Sequence, residues 1–143
     1  MAPARDVRRW IYGGLDAAFA VVYAIALATV VHSRNWQGQV MLASLPALAA
    51  CAAAGMFAGR GWGWRVACLA CGGLLVVATW ILLALCLDAA YLAGVYGSFG
   101  KSMAGFALVT GLVVIELVAL VPALQLKWLR SRAGRRAFGV PRR

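Results

Sequence analysis

Four long apolar runs, residues 11–31, 40–58, 66–87 and 103–126, dominate this 143-residue chain. Each approaches the roughly 20 residues that an α-helix needs to cross about 30 Å of hydrocarbon. In lipid every backbone N–H and C=O must find an internal partner, so only helices and closed barrels span it. The runs lack the alternation of barrel strands. Hydrophobic residues make up 64% of the chain, well above the share in a soluble domain. These features predict an all-α membrane protein, a four-transmembrane-helix antiparallel bundle over residues 11–126. A basic segment precedes it at residues 1–10, and a basic tail follows at 127–143. No soluble domain is expected.

The first run follows Arg5, Arg8 and Arg9 and contains Ala26-Leu27-Ala28, the pattern of a cleavable signal. Asp16 interrupts its apolar core, which favours a retained helix. Four spans put both termini on one side. That side would hold twelve of the fourteen Lys and Arg residues, leaving only Arg34 and Lys101 on the other. The positive-inside rule then makes both termini cytoplasmic, in a bacterial inner membrane. So strong a bias argues against insertion in both orientations. Topology and attraction to anionic lipid headgroups account for the net charge of +10. Nucleic acid is not an expected partner, because the tail offers only Trp128 and Phe138 for stacking.

The connections differ in character. Residues 32–39 form a polar external link. Residues 59–65 read as a tight cytoplasmic turn with Trp62 and Trp64 as interfacial anchors. Residues 88–102 form the longest loop, in which Gly94, Gly97 and Gly100 interleave with Tyr91, Tyr96 and Phe99. This stretch reads as a re-entrant or interfacial segment. Gly100-Lys101-Ser102 resembles the end of a phosphate loop, but Val95 stands where that pattern needs glycine. Beyond Lys127, Gly134, Gly139 and Pro141 oppose a helix that continues to the end.

Glu116 stands inside the fourth run, where a carboxylate costs roughly 2–3 kcal/mol even on lenient insertion scales. Helical spacing places Gly105, Leu112, Ala119 and Ala123 on its face. The small residues Gly105, Ala119 and Ala123 would admit a second helix. Glu116 is therefore expected to point into the bundle, either as a hydrogen-bonding tie between helices or as a proton or cation site. Asp16 lies about a third of the way into the first run, with Tyr12 and Tyr23 on its face and Arg9 two turns back. It is expected either to pair with Arg9 and the tyrosines or to share one polar path with Glu116. His32 and Asp88 end their runs externally and form a candidate pH-responsive pair.

The four cysteines, Cys51, Cys68, Cys71 and Cys86, sit in or beside stripes of small residues. Cys68-x-x-Cys71 falls on the reducing side, and the one histidine is expected across the membrane, so no metal site is expected. Cys68, Gly72, Leu75, Thr79, Leu82 and Cys86 make one stripe, expected to be a packing seam. Ala43, Ala47, Cys51, Gly55 and Gly59 make another, suited to close helix contact. Pro46 is expected to kink the second helix.

No nucleophile–His–carboxylate grouping and no nucleotide turn is visible, so neither an enzyme nor a cofactor is expected. Two functions stay open. The first is assembly, as a homo-oligomer or an accessory subunit of a larger membrane complex. The second is a small proton- or cation-coupled transporter or channel using Glu116. The scarcity of polar groups at mid-depth favours the first.

Overall fold

Alanine, leucine and valine fill the apolar runs, and the main interruptions are two interior prolines. Such a chain satisfies its backbone by helix formation wherever water is scarce. The computed structural model describes residues 7–29 and 36–141. Among them the regular structure is entirely helical: α1 (Val7–Thr29), α2 (Trp36–Ala58), α3 (Gly61–Val95), α4 (Gly97–Arg130) and a short α5 (Arg132–Ala137). α2 runs through Pro46, and α4 runs through Pro122. α1 and α3 are long and apolar enough to cross a membrane. α2 and α4 hold shorter apolar stretches, Leu42–Ala58 and Gly100–Val113.

The helices pack in chain order, α1 on α2, α2 on α3 and α3 on α4. At Gly55 the backbones of α2 and α3 nearly touch. A Cβ there would lie 2.7 Å from the Gly63 carbonyl oxygen and 2.8 Å from the Ala67 nitrogen. Further along, Leu48 of α2 lies on Gly73 of α3, so the two helices run antiparallel. α3 and α4 are also antiparallel. Cys71 faces Gln125, and Leu85 covers Gly111, fourteen residues on along each helix.

Two connections depart from the sequence reading. The turn between α2 and α3 is only Gly59 and Arg60, and both tryptophans already belong to α3. The expected loop at 88–102 is almost wholly helical. α3 continues to Val95, and Tyr96 alone separates it from α4. Gly97, at φ +59°, makes this reversal in a left-handed conformation that a side chain would strain. The register places Trp36, where α2 begins, level with Leu85. The α3–α4 hairpin therefore projects beyond α2 by about ten residues, or roughly 15 Å.

The tail follows the expectation: α4 stops at Arg130, and a short α5 ends at Ala137, before Gly139. Ser131 Oγ donates to the Trp128 carbonyl (2.6 Å) and accepts from the Gly134 amide (3.2 Å), ending α4 and starting α5. At the far end the Gly139 and Val140 amides donate to the Arg136 and Arg135 carbonyls at 3.1 and 3.0 Å. With Gly139 at φ +65°, this is a Schellman cap. The cap turns Phe138 into a cluster with Trp128, Leu129, Met56 and Ala67, where it is fully buried.

The buried seams lie on different faces from those expected. On α2 they are Ala49, Ala52, Ala53 and Met56, and on α3 they are Ala67, Ala70, Cys71, Leu74 and Ala78. Ala47, Cys51 and Thr79 lie on the outside of the single chain, and a Cβ at Gly72 or Gly105 would meet nothing. Of the expected contact residues on α2 and α3, Gly55 alone is in tight contact. Both helices are apolar on all sides, so no polar face told the sequence reading which side turns inward.

Candidate functional site

The buried polar centre of the described residues lies where α1, α3 and α4 converge. Asp16 of α1 is 2% exposed and Gln125 of α4 is 0% exposed. Gln125 Nε2 donates to Asp16 Oδ1 at 2.8 Å, and Cys71 Sγ donates to Gln125 Oε1 at 3.4 Å. One amide thus uses its donor on α1 and its acceptor on α3, which ties three helices at one depth. Asp16 Oδ2 is buried and has no hydrogen-bond partner.

This arrangement replaces the partners that the sequence suggested for Asp16. Arg9 instead donates to the Ala137 carbonyl at 3.4 Å and lies against the rings of Trp10 and Phe138. Tyr12 packs on Trp128, with ring centroids 5.4 Å apart, and Tyr23 stacks on Phe19 at 5.8 Å. The physical reason is reach. Arg9 sits at the helix end, beside the Ala137 carbonyl, and the long Gln125 side chain extends from α4 to Asp16.

Glu116 is exposed on the outer surface of α4, so the expectation that it points into the bundle fails for the single chain. It lines an open groove of about 500 Å³ with Leu75, Val113, Ala119, Leu120 and Ala123. The expected polar path from Asp16 to Glu116 is also absent. Gln125, level with Asp16, is nine residues from Glu116. That spacing is about 13 Å along the helix and half a revolution around it. The two carboxyl groups therefore belong to opposite faces of α4. Asp88 is exposed on α3, and its expected partner His32 lies outside the described residues.

The sequence marks Asp16 and Cys71 as candidates but not Gln125. Its signal was present: an amide inside an apolar run, half a revolution from the one carboxylate there. An amide costs less than a charge to bury, so it stands out less. The arrangement holds three helices together. No known protein family, curated protein or solved structure matches the chain.

Proposed function

We propose that this chain is a four-span inner-membrane protein that acts by assembly through the outward face of α4. It would do so as a homo-oligomer or as a subunit of a larger membrane complex. The observation that carries the reading is the exposure of Glu116 beside Ala119 and Ala123. By helical rise Glu116 is about 16 Å from Lys127, inside the hydrocarbon. A carboxylate facing lipid there is costly, and a second protein surface in the groove removes that cost. A second copy is the first choice. All copies insert the same way round, so the same grooves meet at one depth, as a two-fold interface requires.

Packing supports four spans. α2 lies antiparallel against α3 and beside α1, and α4 lies along α3. If α1 and α3 cross the bilayer, their neighbours occupy the same depth. Arg9, Arg65, Arg130 and Arg135 then gather at the cytoplasmic end. A reporter active only in the periplasm should be silent when fused at the C-terminus and active near Gln37. Periplasmic activity at the C-terminus would reverse the orientation.

Ala123→Leu fills the groove and should return the detergent-extracted protein to the mass of one 15.1 kDa chain. Wild-type protein already running as one chain, without a copurifying subunit, would sink the assembly reading. Proton- or cation-coupled transport is the second reading. It predicts that Glu116→Gln keeps the assembled mass yet abolishes flux into liposomes. The separation of Glu116 from Asp16 weighs against it, because one carboxylate alone makes a short path.

A further inference from the structure

The cytoplasmic end of the chain carries a second concave surface, unrelated to the Glu116 groove. A cavity of about 700 Å³ opens between the start of α3 and the docked tail, walled by Trp62, Trp64, Arg65, Arg135 and Val140. A smaller one of about 280 Å³ continues from it, walled by Trp64, Cys68, Leu126, Arg130 and Arg135. Trp64 and Arg135 belong to both, so the two form one groove. Its outer part is cationic and aromatic. Its inner part descends between α3 and α4 past the apolar Leu126 and the thiol of Cys68.

The groove is built rather than incidental. Trp64 is fixed by its indole N–H, which donates to the Leu129 carbonyl at 2.8 Å. The Arg135 guanidinium sits 5.7 Å from the centre of the Trp64 ring. The Ser131 cap and the Schellman cap hold α5, and so Arg135, in place. Arg135 Nε is buried without a hydrogen-bond partner. Among the described residues no carboxylate lines either cavity. Three arginines thus line a concave surface that supplies no anion of its own.

We propose that this groove binds one anionic phospholipid, its phosphate held by Arg65, Arg130 and Arg135 and an acyl chain lying along Leu126 and Cys68. A guanidinium offers paired N–H donors that match phosphate oxygens, and a tryptophan at the interface suits the junction of headgroup and chain. Basic clefts on the cytoplasmic side of membrane helices take such headgroups. The shared chemistry is a phosphate, which a soluble phosphate compound also carries. Leu126, Cys68 and the Trp64 ring in the inner part offer an acyl chain apolar surface that a soluble phosphate compound leaves unused, which favours the lipid.

The test uses the full-length protein in detergent, with native mass spectrometry and thermal melting. Phosphatidylglycerol, phosphatidylcholine and inorganic phosphate are added separately. One phosphatidylglycerol per chain is expected to survive and to raise the melting temperature, with phosphatidylcholine and inorganic phosphate doing neither. Arg135→Gln should weaken phosphatidylglycerol binding at least tenfold. Arg132→Gln removes the same charge from an exposed position outside the groove and should bind like the wild type. Arg65→Gln, which leaves the tail caps untouched, repeats the test if Arg135→Gln does not fold. Equal losses in the Arg132 and groove variants would mean diffuse attraction and overturn the site. Equal stabilisation by inorganic phosphate would overturn the lipid assignment.

Discussion

Gly55→Leu is expected to part α2 from α3 and to lower the stability of the extracted protein by about 3 kcal/mol, the upper part of the usual range for overpacking. The first side-chain atom would already lie 2.7 Å from the Gly63 carbonyl oxygen and 2.8 Å from the Ala67 nitrogen. Both are backbone atoms of a helix, so neither can swing aside as a flexible side chain would. The contact is reciprocal, because a Cβ on Gly63 would lie 2.6 Å from the Gly55 carbonyl oxygen. The control is Gly72→Leu. Nothing lies within 4 Å of a Cβ at that position, and its effect should stay within about 0.5 kcal/mol. Thermal melting followed by tryptophan fluorescence separates the two. Equal shifts in both variants, or none in Gly55→Leu, would mean that the α2–α3 contact is not as described.

The second large effect concerns the tie between α1, α3 and α4. Gln125→Met keeps much of the side-chain volume but takes the hydrogen bond from a carboxyl group that is already half unpartnered. The expected cost is about 3 kcal/mol, because a buried polar group left without a partner forfeits its full desolvation energy. Asp16→Leu alone should cost less, since the amide it strands is uncharged. Asp16→Leu with Gln125→Met removes both members and should melt closer to the wild type than Gln125→Met alone. A double-mutant cycle on melting free energies reads this directly. If the two costs simply add, Asp16 and Gln125 do not act as a pair, and the buried centre is not one unit.

Much of the helical content was legible in the runs themselves. A helix satisfies its own backbone, so the signal is local, and the runs at 11–31 and 40–58 fall within four residues of α1 and α2 at each end. The length of α3 and α4 was less legible. Residues 88–102 carry three glycines and read as a loop, yet only Tyr96 and Gly97 make the reversal. Ala89 and Ala104 are buried there, small enough for the two helices to stay in contact almost to the tip. In the tail Gly139 does end the helix, as its residue type predicts, but the short α5 that it ends depends on Ser131 starting a helix eight residues earlier.

The candidate site divides along the same line. Asp16 and Glu116 announce themselves as carboxylates in apolar surroundings, and sequence alone determined that each needs an explanation. It also determined where the charges lie along the chain. Which way those carboxylates face was a tertiary decision. α2 and α3 are apolar all round, so the sequence offers several equivalent seams, and close packing at Gly55 and Gly63 selects one of them. That choice fixes the rotation of α3 and hence which of its cysteines meets α4. It brings Gln125 over Asp16, 109 positions away in the chain, and leaves Glu116 outside. A polar residue in an apolar helix declares its cost locally. Its partner depends on the rotation of every helix between them, and packing across the whole set determines that rotation.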